Sequence, residues 1–291
     1  MVRINKCIEL LEQGRPVFAE HTSEPPELSY QSGRRHAMHW ADMLVVEFEH
    51  FGFDIPGLSE FMRGLREATP VSEPTLTVLV TLPHNAISPE EVRYNAWQAR
   101  HALSAGVHGL MQAQARDPEA VKWYVAASRY ADQPLGRDVL PEGLRGAGGE
   151  ARPASIWGVT PTQYRLCADP WPLNPAGELL LGIKIENRCV LEIAQSIAAV
   201  PGIGLAEWGP ADMAVSFGVP DAVNPPYPPE LNDAMQAVRN ALAKARVPFH
   251  CGWSDPAMSV EQQVDHLLDV IGARILVVPS AEYAQYGRSR G

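Results

Sequence analysis

GIKIENRCVLEIAQSIAAVPGIGLAEWGPADMAVSFG, residues 182–218, reads as strand, helix, strand and loop. The apolar run LLLGIKIE ends at Glu186, NRCVLEIAQSIAAV has helical spacing, and GIGLAEW leads into GPAD and Asp212. Strands that are apolar almost throughout and separated by a helix belong to a buried parallel sheet. Such sheets carry their chemistry at the carboxyl ends of the strands. Glu186 and Asp212 are therefore expected side by side at one rim. Two converging carboxylates suit a hard divalent cation such as Mg2+ or Mn2+, with Co2+ as a further candidate.

Outward from this stretch the same alternation recurs. PVFAEHTS (16–23), DMLVVEFEH (42–50), TLTVLVTLP (75–83) and VHGLMQAQ (107–114) read as strands on its N-terminal side. VPFHCGW (247–253) and RILVVP (274–279) follow it. Helices are expected between them: residues 3–13 closed by Gly14, a helix opened by Pro25 and Pro26, and one from PGLSEFMRGLRE. Ser88 and Asp117 cap two more. Residues 133–177 are rich in Gly, Pro and Arg and lack a sustained period; a loop this long is usually functional or mobile, and its shape is expected to set acceptor specificity. A short helix, TPTQYRLCAD, is expected inside it. Eight strands alternating with helices, with no break in composition, predict an α/β fold: one (β/α)8 barrel over residues 1–291. No GxGxxG, P-loop or internal repeat is present.

Of the 291 residues 46% are hydrophobic and 20% charged, and the formal net charge is -10. That charge, with no run of Lys or Arg, argues against nucleic acid or an anionic membrane as partner. Cys7, Cys167, Cys189 and Cys251 are widely spaced, which favours reduced thiols over a disulfide framework or structural zinc site. MVRINKCIELLEQG lacks the uninterrupted apolar core of a signal peptide. A cytoplasmic protein is expected.

Three segments resemble the HpcH/HpaI aldolase family, metal-dependent 2-oxo acid aldolases of the phosphoenolpyruvate/pyruvate barrel superfamily. VVEFEHFGFDIPGL is similar to the family's strand, acid, Glu-His and following helix. IKIENRCVLEIAQSIAAVPGIGLAEWGPADMAVSFG is similar to its Gln-Ile-Glu-Thr strand, Ala-Val-Pro-Gly turn and Gly-Pro-Ala-Asp-Leu motif. GLRGAGG (143–149) is similar to its Arg-Gly loop. The likeness runs from about residue 40 to 280, and the second segment is the specific one. It implies Glu186 and Asp212 as metal ligands and His50 as the acid/base, oriented by Glu47 where the family has aspartate. It implies a Gly209-Pro210-Ala211-Asp212 turn whose Ala211 and Asp212 N–H groups hold a substrate carboxylate. It also implies a homo-oligomer, a hexamer or other dimer-based assembly, often with an exchanged last helix; here only SAEYAQYGRSRG follows the eighth strand.

Two positions depart from the family. Thr81 stands where its third strand carries an oxyanion-binding arginine, and losing such a donor typically costs about 100–1000-fold in rate. Lys184 replaces a glutamine and shares a strand face with Glu186; it is expected to supply the missing positive charge, with His84 a second candidate. The structural alternatives are caps or ion pairs for Glu186 and Asp212, a strand-end histidine at His50, and an ion pair of Lys184 with Glu47, Glu49 or Glu186. A Schiff-base lysine is redundant beside a metal pair. His21 and Trp253 are expected as pocket walls, Arg145 as a binder of an anionic tail or a solvated loop residue, and His36 and His39 as surface or interface residues. Trp157, Trp171, Trp208 and Trp253 hint at an apolar or aromatic acceptor.

The reading is a lyase joining or cleaving a pyruvate-type enolate and an aldehyde. One alternative is a divergent metal-dependent lyase that does not use pyruvate. The other is a non-catalytic carboxylate-binding protein on the same scaffold.

Overall fold

Each of the eight apolar runs becomes a strand of one closed, all-parallel barrel. The computed structural model describes residues 3–22 and 27–290. Within them the strands are Val17–His21, Met43–Glu47, Thr77–Asn85, Gly109–Ala113, Leu179–Ile185, Leu205–Trp208, Phe249–Cys251 and Ile275–Val277. Consecutive strands pair in parallel, the fourth with the fifth through Leu110 opposite Leu181. The first pairs with the eighth through Val17 opposite Ile275, which closes the barrel. A two-residue strand, Pro170–Trp171, pairs with the start of the fifth. Among the described residues no helix is long and apolar enough to cross a membrane.

The connecting helices largely start where short polar side chains can cap them. Ser88 and Asp117 accept from the first-turn N–H groups of Glu91 and Glu119, each followed by proline at the first helical position. Pro25 and Pro26 lie outside the described residues; the helix beyond them, Tyr30–His36, is capped by Ser29. NRCVLEIAQSIAAV, expected as one helix, divides into a 3-10 stretch, Arg188–Ile193, and an α-helix, Ala194–Ala198.

Strand alternation sorts the barrel interior into an apolar floor and a polar top. Val17, Ala19, Met43, Val45, Leu79, Met111, Leu180, Leu205 and Ile275 fill the lower part. Cys7, Ile8 and Leu10 of the first helix, Lys6–Glu12, plug it from below. Gly182 has no side chain because Met111 Sδ occupies the space a Cβ would take. Two residues further along the strands, the inward positions become His21, Glu47, Thr81, Lys184 and Glu207.

The region 133–177 is not a structureless loop, and it is not at the mouth. The fourth strand ends at Ala113 and helix Pro118–Ser128 carries the chain back to the opposite face, so the segment connects a helix end to a strand start there. It contains helices Ala151–Trp157 and Pro161–Cys167, the first of which was not anticipated. Trp157 Nε1 donates to Gly106 O at 3.0 Å and stacks on His108, both at the amino end of the fourth strand. That face of a barrel governs stability rather than chemistry, so this segment does not shape an acceptor pocket. The longer mouth-side connections among the described residues include 48–54, 114–117, 209–228 and 252–259.

The C-terminal helix, Ala281–Ser289, packs on its own barrel: Gly287 lies against the Phe18 ring and Arg288 reaches Asp42 Oδ1 at 2.9 Å. Arg129 and Asp169, almost wholly buried, pair through Nε–Oδ1 at 2.7 Å and Nη2–Oδ2 at 3.2 Å. They fasten the start and end of the long segment. Arg129→Ala leaves Asp169 buried without its ion partner and is expected to cost about 3–5 kcal/mol, read as a lowered urea midpoint. An unchanged midpoint would show that the pair does not hold the segment.

Candidate functional site

Glu186 and Asp212 meet at the carboxyl rim through a residue the sequence did not mark. The Gln114 backbone N–H donates to Glu186 Oε1 at 2.8 Å, and its Nε2 donates to Asp212 Oδ1 at 3.2 Å. Gln114 adopts φ 48°, in the left-handed region, a strained conformation for a residue with a side chain. Arg116 Nη2 donates to Gln114 Oε1 at 2.7 Å, completing the chain from Arg116 to Asp212. Glu186 is buried, and burial pushes its carboxyl from 4.5 up to about 8; Lys184 pulls it down, while Glu49 and Asp212 push it up. Gly209 is required beside it, since a Cβ there would fall on Glu186 Oε2. Helix Pro210–Phe217 then begins with a residue lacking N–H, which leaves Ala211 and Asp212 to present the first free donors.

Lys184 is buried and pairs with Glu47 Oε2 at 3.1 Å and Glu49 Oε2 at 2.8 Å. Burial works against its charge, but Glu207, Glu186, Glu47 and Glu49 outweigh it and raise the ammonium's pKa. The ion-pair alternative for Lys184 is thus realised with both Glu47 and Glu49. Glu47 does not orient His50: its Oε1 accepts from the Glu49 N–H at 2.6 Å and its Oε2 from Lys184. His50, with a side chain 59% exposed, has Glu49 as its nearest acid at 3.9 Å. The longer glutamate therefore turns to the barrel interior, and the Glu47–His50 dyad expected from the resemblance is not formed.

Thr81 is fully buried on the third strand, opposite Glu47, with its hydroxyl unpartnered. His84 Nδ1 is engaged with Gln98 Oε1 of the following helix at 2.9 Å, and burial lowers its pKa. That contact draws the imidazole toward the helix layer. Trp253 is buried in the mouth-side connection after the seventh strand and stacks on His266 at 4.3 Å between ring centroids, which packs it against a helix. Trp171 bonds Glu12 at the barrel floor and Trp208 is fully buried in the outer core, which removes the hint of an aromatic acceptor. Arg145 is neither solvated nor at the mouth: it is buried against Tyr130 and Tyr164, whose hydroxyls accept from Nη2 at 3.0 and 3.1 Å. His36 and His39 stack at the surface beside Glu20.

Three further residues gather in the polar layer. His21 Nε2 lies 3.2 Å from His250 Nε2, and Glu207 approaches His21 Nδ1 to 4.0 Å and His250 Nδ1 to 3.7 Å. Burial lowers both histidines, His250 well below its ordinary value. Glu207 and His250 went unnoticed because each sits in a short apolar strand; their positions opposite one another on the sixth and seventh strands were the available signal.

No family model matches the chain. A hydroxypyruvate/pyruvate aldolase of Deinococcus radiodurans is 32% identical over 116 residues, 40% of this chain and 36% of that protein. A 4-hydroxy-2-oxovalerate aldolase of Novosphingobium aromaticivorans is 30% identical over 179 residues, 61% of this chain and 55% of that protein. The chain thus spans only about a third to a half of the length of these two curated relatives. In fold it is similar to an HpcH/HpaI aldolase/citrate lyase family protein from Burkholderia cenocepacia, with a TM-score of 0.71, 22% identity, and 98% of this chain and 96% of that one covered.

The raised Glu186 carboxyl sets a pH dependence in metal-free protein. The folded state holds this proton more tightly than the unfolded chain, so the contribution is full below about 4.5 and lost as pH rises through about 8. Over that window EDTA-treated wild type should lose up to about 5 kcal/mol relative to Glu186→Gln, from the size of the shift. Urea denaturation of both proteins across the window measures it; parallel profiles would clear Glu186 as the source.

Proposed function

We propose that the protein is a metal-dependent carbon–carbon lyase, an aldolase that makes or breaks a bond next to a 2-oxo acid. The reading rests on a barrel that resembles the HpcH/HpaI aldolases in sequence and in fold. The observation that carries it is the pairing of Glu186 and Asp212 through Gln114, beside the free N–H groups of a helix start.

The donors fit a hard cation. They are carboxylate oxygens, burial pushes Glu186 up, and Gly209 leaves its Oε2 face uncovered. Mg2+, Mn2+ or Co2+ held by Glu186 and Asp212 would supply Lewis-acid stabilisation to a developing oxyanion. The chain's own residues do the rest. Ala211 and Asp212 N–H groups, at the positive end of their helix, bind the oxo-acid carboxylate. His50, exposed at the rim, takes up or returns the proton. Lys184 stays protonated and brings positive charge to the interior near Thr81. A pyruvate-type enolate and an aldehyde are the proposed partners, and the enzyme is proposed to be a cytoplasmic homo-oligomer.

The ammonium of Lys184 is already shared by Glu47 and Glu49, and Thr81 offers only a hydroxyl. Both favour, as a second reading, a lyase on this scaffold whose substrate is not pyruvate.

Pyruvate deuteration in D2O, followed by NMR after EDTA treatment and addition of Mn2+ or Mg2+, separates the two. Metal-dependent exchange is expected, lost in His50→Ala and Glu186→Gln and reduced about 100-fold or more in Lys184→Gln, the scale of one oxyanion donor. Exchange that survives Lys184→Gln unchanged removes that residue's role. Bound metal with no exchange overturns the pyruvate assignment and supports the divergent lyase.

A further inference from the structure

We propose that His21, Glu207 and His250 form a second cation site inside the barrel, one that takes a borderline divalent ion such as Zn2+ or Co2+. One donor atom from each residue lies within 4.8 Å of the others, on strands one, six and seven. Two imidazoles and one carboxylate are a set that suits Zn2+, Co2+ or Fe2+ better than Mg2+. The all-oxygen pair at Glu186 and Asp212 suits the harder ions, so the two sites differ in ligand chemistry as well as place.

The unpartnered atoms point the same way. His250 is fully buried and its Nδ1 has no hydrogen-bond partner; Glu207 is 9% exposed and its Oε2 has none either. These two atoms face each other at 3.7 Å. That is too long for a hydrogen bond, yet it is the span of two ligand bonds of about 2.0–2.2 Å meeting at one ion. The contact between His21 Nε2 and His250 Nε2 at 3.2 Å does not resolve it. If His250 Nε2 accepts, its Nδ1–H is left without an acceptor; if it donates, a bare Nδ1 lone pair faces a carboxylate. Lys184 does not fill the gap: Glu207 acts on its ammonium electrostatically, but its hydrogen bonds go to Glu47 and Glu49. A cation between His250 and Glu207 satisfies both atoms and draws in His21.

The other histidine–acid group, Glu20, His36 and His39, makes no such demand. His39 Nε2 is 3.0 Å from Glu20 Oε2 and His36 Nδ1 is 2.8 Å from Ser32 O, which leaves those contacts satisfied within the chain.

The test is Co2+ titration of EDTA-treated full-length protein, read by stoichiometry, by visible absorption and by paramagnetically shifted imidazole N–H signals in the proton NMR spectrum. Two equivalents are expected, with shifted imidazole signals in the wild type. His250→Ala and Glu207→Gln, each checked for folding by circular dichroism, should fall to one equivalent and lose those signals. Glu186→Gln should also fall to one equivalent but keep them, and His39→Ala should keep both. A wild type without shifted imidazole signals overturns the proposal, as does their persistence in folded His250→Ala. Neither result touches the aldolase reading, which is tested separately by pyruvate exchange.

Discussion

One ammonium, on Lys184, stands among four carboxylates at the top of a closed barrel. Glu47 and Glu49 hold it directly, while Glu186 and Glu207 act on it electrostatically. Burying charge is costly unless it is paired and hydrogen-bonded, and a single cation cannot neutralise this layer. Burial pushes Glu186 up to about 8, with Glu49 and Asp212 adding to it, and the Oε2 of Glu207 has no hydrogen-bond partner. A layer built this way is short of positive charge, and the proposed cation sites follow from that shortage rather than from any one residue.

Stability must then come from elsewhere, and the chain separates the two tasks along the barrel axis. The floor is apolar and plugged by the first helix. Asn5 reinforces it, donating through Nδ2 to His108 O at 3.2 Å and Glu178 O at 3.1 Å. On the same side, the segment between helix Pro118–Ser128 and the fifth barrel strand is locked by Arg129–Asp169 and by Arg145 between two tyrosines. Well-paired charges sit at the floor and poorly paired ones at the mouth. Local conflicts of that kind concentrate where a fold does its chemistry.

The fold was legible because parallel strands buried on both faces leave uninterrupted apolar runs, as in LVVE and LLLGIKI. The role of residues 133–177 was misread, although polarity alone decides it. A helix following a barrel strand returns the chain to the opposite face, so a segment after Ser128 lies away from the mouth. In the site, Glu186 and Asp212 were legible from their places at strand and loop ends. Gln114 was not, since it acts through a backbone N–H and a positive φ, and neither leaves a trace in residue type. Glu47 was placed correctly on its strand, and of the two partners open to it, His50 and Lys184, the structure realises the second. One extra methylene lets its carboxylate reach Lys184 across the barrel, and no spacing rule reports such a choice.

That choice also limits what Lys184 can do. A Schiff base requires a neutral amine, and lysines that perform this chemistry are desolvated among apolar or cationic neighbours that lower their pKa. Lys184 is desolvated too, but the surrounding carboxylates outweigh that and raise it. That keeps the ammonium charged at neutral pH and favours an electrostatic role over a nucleophilic one. As a point charge on a flexible stem it lacks the rigid fork by which an arginine engages two oxygens. Any orientation the third strand no longer provides at Thr81 must come from the mouth, where Gln114, Gly209 and the helix beginning at Pro210 are held in place by one another.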